Sequence, residues 1–153
     1  MRVCLIIPPS PFLLDERVFV QLGILKIASA LEEQNYTVDM IDLSGVENYT
    51  DVLTDYTKRK DRADVFGITA TTPQVPYAVK ISQHIKALLP AKQSKVILGG
   101  PHVTLMHTAA KREAKKNLVG SDRATKDVEA LKSFFDVLVC GDGEIAIFDA
   151  IHE

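Results

Sequence analysis

The stretch "VILGGPHVTLM", residues 96–106, carries the signal on which the fold turns. An apolar run, Val96–Leu98, meets the pair Gly99-Gly100 and then Pro101, His102 and Thr104. A diglycine directly after an apolar run marks a place where backbone must come close to something else. Three partners fit: a packed helix, a phosphate, or a large cofactor. Four more apolar runs flank this one at Val3–Ile7, Val38–Ile41, Val65–Ile68 and Val137–Cys140. They are nearly continuous rather than alternating, as expected of strands covered on both faces. Helical spacing fills the gaps between them. Ile24, Ala28 and Leu31 share one face, as do Ala78, Ile81, Ile85 and Leu88. Thr72-Pro73 reads as a cap followed by Pro at the first helical position. Alternating strand and helix predicts one α/β domain over residues 1–153, a flavodoxin-like, doubly wound, five-stranded parallel sheet. The predicted strand order is 2-1-3-4-5, with helices on both faces. In such sheets ligands bind at the carboxyl ends of the strands, where the first and third diverge.

The bulk properties narrow the function. The chain of 153 residues is 46% hydrophobic and 25% charged, with a net charge of −2. Such a balance gives no reason to expect nucleic acid or an anionic membrane surface as partner. The two cysteines, Cys4 and Cys140, sit in apolar runs and form no CxxC pair. Free buried thiols, with no leader-like or membrane-spanning stretch at the start, point to the cytoplasm. Residues 107–133 mix basic and acidic side chains, and Gly120-Ser121 is expected to divide them into two helices. This segment reads either as a basic docking face or as a solvated helix pair covering the sheet edge.

The loops after the strands are the places to search for chemistry. They read "PPSPF" (8–12), "TATTPQ" (69–74), "GGPHVT" (99–104) and "GDGE" (141–144), rich in Gly, Pro, Ser and Thr and poor in charge. A phospho-receiver would need acidic residues where Pro8-Pro9 and Thr69-Ala70-Thr71 stand. No P-loop or nucleophile elbow is present, and Gly141-Asp142-Gly143 lacks the third glycine of a dinucleotide fingerprint. The four histidines form no metal-binding spacing. No catalytic residue and no metal ligand is therefore assigned. Hydroxyl-bearing, glycine-lined walls suit a large, mostly neutral ligand approached closely by backbone.

Four motifs in order, "PPSPFLLDERVFVQLGILKIASALE" (8–32), "VFGITATTPQ" (65–74), "LGGPHVT" (98–104) and "FDVLVCGDGE" (135–144), resemble the N-terminal cobalamin-binding domain of cobalamin-dependent radical SAM enzymes. The resemblance covers nearly the whole chain. It implies cobalamin as ligand, with its nucleotide tail in a slot beside the sheet. It also implies a radical SAM barrel as partner in a longer chain, with methyltransferase as a candidate activity of the whole. S-adenosylmethionine and a 4Fe–4S cluster would belong to that barrel, since two cysteines cannot make a CxxxCxxC motif.

Related cobalamin domains carry D-x-H-x-x-G, S-x-L and G-G. Thr69-Ala70-Thr71, followed after 27 residues by Gly99-Gly100, is similar in spacing to the last two. Residues 1–83 contain no histidine, so the first motif is missing. The resemblance then implies corrin bound base-off, without a lower histidine from this domain. By the same resemblance, Pro8, Pro9 and Ser10 face the corrin, Thr69 bonds the tail in place of the motif's serine, Thr71 belongs to the same cofactor-binding loop, and Thr72 serves as cap or donor. Gln74 reaches a corrin amide. Gly99 and Gly100 line the slot because a Cβ would meet the tail, so Gly100→Val should cost corrin binding and spare the fold. Pro101, His102 and Thr104 rim it, and Gly141, Gly143 and Glu144 form the last turn. Asp15, Glu16 and Arg17 face the corrin rim or the barrel. The alternative is a degenerate Rossmann-like interaction module that binds no cobalamin. A weaker third reading is a domain using the glycine turns for a phosphate or nucleotide sugar.

Overall fold

The computed structural model describes residues 1–116 and 122–153. Five parallel strands, β1 (Arg2–Ile7), β2 (Thr37–Asp42), β3 (Val65–Thr69), β4 (Lys95–Gly99) and β5 (Val137–Leu138), lie in the order β2-β1-β3-β4-β5. The helices are α1 (Leu22–Glu33), α2 (Tyr49–Thr57), α3 (Val75–Leu88), α4 (Pro101–Lys116), α5 (Arg123–Lys132) and α6 (Gly143–His152). The predicted flavodoxin-like order and two-sided helical cover are both present.

Strand periodicity divides the core. Cys4, Ile6, Phe66, Ile68, Val96 and Leu98 point to one face, where they meet α2, α3 and residues of α4 and α5. Val3, Leu5, Ile7, Val65, Ile97 and Val139 point to the other and meet α1 and α6. Helix α1 buries Ile24, Ala28 and Leu31, the four-then-three spacing that keeps one stripe inward. Helix α6 buries Ile147, Ala150 and Ile151. The Lys95 ammonium donates to the carbonyls of Ala150 and Ile151, placing a cation at the negative end of α6.

Three local readings need correction. Helix α4 starts at Pro101, so the loop after β4 shrinks to Gly100, and Pro101, His102 and Thr104 occupy a first helical turn. Thr71 rather than Thr72 caps the turn after β3. Its N–H and hydroxyl both donate to the Gln74 carboxamide oxygen across a 3-10 turn, Thr72–Gln74, and α3 follows. Strand β5 stops at Leu138, two residues short of the expected end. The expected break at Gly120-Ser121 falls outside the described residues. The helices on either side of it pack together, with the Glu113 carboxylate accepting from Ala124 N–H and Thr125 N–H at the start of α5. Those backbone donors hold Glu113 below the usual carboxylate range.

Cys4 is sealed in the sheet, and burial pushes its thiol up to about 12. Both cysteines are free. Among the described residues no helix is long and apolar enough to cross a membrane.

Candidate functional site

Parallel pairing makes the floor of the site. Leu5 pairs with Gly67, and Gly67 with Ile97, forming one row across β1, β3 and β4. Two residues further along, Thr69 pairs with Gly99 on the same face. Gly67 and Gly99 contribute no side chain to these rows, which leaves a hollow between the sheet and the helices α1 and α6. The result is a cavity of about 550 Å³, within the range of small-molecule pockets. Its walls include Gly23, Ile24 and Ile27 from α1, Ile147 from α6, and Val139 just past β5. Its mouth lies at the carboxyl ends of β3 and β4, where α1, α4 and α6 begin. Gln21, Thr69, Gly100, Pro101, Thr104, Leu105, Gly141, Gly143 and Glu144 are there.

Eight of the residues singled out from sequence thus meet around one cavity: Thr69, Gly99, Gly100, Pro101, Thr104, Gly141, Gly143 and Glu144. The two glycines of the pair differ. A Cβ on Gly99 would sit 3.7 Å from the Val139 Cβ, an ordinary contact. Gly100 has φ +98°, and its Cβ would fall 2.7 Å from Thr69 Oγ1 and 2.8 Å from the Ala70 nitrogen. Its first obstacle is therefore the chain itself, which reverses the expectation that Gly100→Val spares the fold. Ala70 N–H donates to the Gly99 carbonyl and His102 N–H to the Ala70 carbonyl, so the loops after β3 and β4 are tied backbone to backbone. Thr104 Oγ1 donates to the Gly100 carbonyl and accepts from Gly141 N–H at 3.1 Å, joining the loops after β4 and β5. Glu144 is held below the usual carboxylate range by its own backbone N–H and by Lys26, 3.1 Å away.

The other seven do not line the cavity. They form a hydrogen-bonded block beside it. Pro8, Pro9 and Ser10 are buried, and the Gln74 amide, 3% exposed, donates to the Pro8 carbonyl and Ser10 Oγ. With Thr71 on its oxygen, the whole Gln74 carboxamide is spent inside the protein. His102, 4% exposed, meets Thr72 Oγ1 through Nδ1 at 3.1 Å and Asp127 through Nε2 at 2.9 Å. It pins α5 to the turn after β3. His102→Ala is expected to lower stability by about 2–3 kcal/mol, through lost packing and two lost bonds. Urea unfolding checks this, and an unchanged midpoint would remove the pin.

Glu16 and Arg17 act on the chain as well. The Glu16 carboxylate accepts from Ser10 N–H and Gly45 N–H, and Arg17 Nε donates to the Ser44 carbonyl. This brace fixes a loop whose Phe12, Leu14, Val18, Phe19 and Val20 are exposed. Among the described residues, no histidine lines the cavity and no cluster of His, Cys, Asp or Glu could hold a metal ion.

Gly67 and the aliphatic walls were not singled out from sequence. Gly67 had one usable signal: it stands two residues before Thr69 and therefore on the same face of β3.

Fold and cavity together define a parallel α/β ligand-binding domain with its site at the carboxyl edge, where the strand order reverses. The model of the B12 binding domain matches residues 16–125. The chain belongs to the B12 binding domain family. Two solved structures share the fold. One is the radical S-adenosylmethionine methyltransferase TsrM from Kitasatospora setae, solved with tryptophan substrate and a SAM analog. It is 18% identical with a TM-score of 0.54, over 71% of this chain and 20% of that one. The other is a novel cobalamin-binding protein from Desulfitobacterium hafniense DCB-2. It is 11% identical with a TM-score of 0.58, over 98% of this chain and 57% of that one. This chain thus spans a fifth of the first protein and little more than half of the second. No curated protein matches it.

Proposed function

We propose that the domain holds cobalamin by its nucleotide tail, base-off and without a lower histidine, as the cofactor-binding part of a radical SAM enzyme. The observation that carries the reading is the glycine-floored cavity between the sheet and α1 and α6. Gly67 and Gly99 leave out the side chains that would otherwise fill it, which is the kind of cradle a flat ring system needs. The cavity suits one arm of a large ligand, with the corrin left outside over the strand ends. Three helix N-termini at the mouth favour an anionic group such as the tail's phosphodiester. Thr69 would bond the tail. Thr104 and the Gly141 turn would frame it, and the block around Gln74 and His102 would keep these loops in place.

Cobalamin supplies a transferable upper group on cobalt when bound. This chain's own part is to bind, orient and shield. Residues 1–83, which include the loops after β1 and β3, hold no histidine, so a cobalt over those strand ends would receive no imidazole nitrogen from these loops. The likeness to TsrM supports a radical SAM partner domain, with S-adenosylmethionine and the 4Fe–4S cluster held there, and methyl transfer as the reaction class. The exposed apolar loop carrying Leu14, Phe19 and Val20 is a surface such a domain would cover. The free thiols fit a cytoplasmic setting. The same loop is the one observation favouring the other reading, an interaction module that binds no corrin.

A hydroxocobalamin titration followed by absorbance separates the two. Micromolar or tighter retention through desalting is expected, with no nitrogen coupling in the paramagnetic resonance spectrum of the Co(II) form. A colourless protein would leave the interaction module. A nitrogen-coupled cobalt would overturn the base-off mode alone.

A further inference from the structure

The cavity is graded. Its polar side chains, Gln21, Thr69, Thr104 and Glu144, all sit at strand ends or at the first turns of helices, which places them at the mouth. Toward the middle of the strands the lining is Leu5, Gly67, Ile97, Ile27 and Ile147, without one hydrogen-bonding side chain. Backbone groups do not compensate. Gly67 is paired on both sides, to β1 and to β4, and Ile27 and Ile147 lie past the first turns of their helices, where the backbone is bonded within the helix. A ligand group reaching this inner end finds surface to pack on and nothing to bond.

We propose that the inner end selects among cobamides by their lower base, accepting phenolic and methylated benzimidazole bases and rejecting purines. The inference rests on the tail-in-slot reading above. A p-cresolyl base carries no hydrogen-bonding nitrogen into the slot, and a benzimidazole released from cobalt carries one. An adenine base brings an exocyclic amine and several ring nitrogens. Each loses water on entry and gains no partner, and an unpaired buried polar group weakens binding severalfold to a hundredfold. The aliphatic walls reward the hydrocarbon bases by contact area instead.

The decisive comparison is p-cresolylcobamide against adeninylcobamide, titrated into the intact protein and followed by absorbance. The cresolyl base cannot ligate cobalt at all, and adenine does so weakly. The comparison therefore isolates the slot from the cost of freeing the base. Adeninylcobamide is expected to bind at least about tenfold more weakly. Equal affinity, or a preference for the adeninyl form, would overturn the selectivity and leave cobamide binding standing. If tail-less cobinamide binds as tightly as the cresolyl form, the tail does not use the slot, and the selectivity falls with it. If none of the three binds, the acceptance of phenolic bases is overturned, and the cobalamin reading fails with it where hydroxocobalamin does not bind either.

Discussion

Gly67→Val is expected to reduce cobalamin affinity at least about a hundredfold while leaving a folded domain. Gly67 is the centre of the cavity floor, flanked by Leu5 and Ile97 in the same row. A side chain there rises into the space that the tail would occupy. The cost to the apo fold is small for two reasons. The added Cβ would come within 2.9 Å of Leu5 Cδ2 only, the end of a side chain that can turn aside. Valine also suits a buried strand better than glycine, which loses more backbone freedom on folding. Stability should therefore stay within about 1 kcal/mol of the parent. Absorbance titration and urea unfolding on the same preparation read both quantities. Undiminished corrin binding would mean that the floor is not where the tail lies.

Gly100→Val should behave in the opposite way. A left-handed φ of +98° strains any L side chain, and the new Cβ meets Thr69 Oγ1 and the Ala70 backbone rather than a flexible chain end. The contact cannot relax without pulling apart the bonds linking Ala70 to Gly99 and His102. A loss of about 3 kcal/mol or more is expected. That is a large share of the 5–15 kcal/mol typical of a domain, as an order of magnitude. Circular dichroism and the urea midpoint should both change before any ligand is added. A native spectrum and midpoint would return Gly100 to a purely ligand-facing role. The two glycines thus separate a pocket residue from a joint in the chain.

The sheet was legible because parallel strands buried on two faces announce themselves as short apolar runs, and because the gaps between them carry helical spacing. The mouth of the cavity was legible too: Thr69, Gly99 and the Gly141 turn lie at strand ends, where the fold class places ligands. The inner cavity was not. Leu5, Ile97 and Ile147 read the same whether they pack on a helix or line a slot, and Gly67 hides within an apolar run. The roles of Gln74 and His102 depend on partners far along the chain, Ser10 and Asp127. Residue type alone could not say that their polar atoms were already spent. Glu16 is a similar case, since its bond to Gly45 appears only once β1 and β2 lie side by side.

The hollow over Gly67 is built into a ladder bonded on both sides, not into a loop that must close. A ligand entering it would lose its own freedom, but the protein has little to order in response, so the entropic penalty falls almost wholly on the guest. Escape then requires the contacts of a rigid trough to be surrendered together rather than peeled away as a lid opens. Slow dissociation follows from such a site. Its occupant would stay with the chain as a resident part of the domain rather than exchange freely with solution.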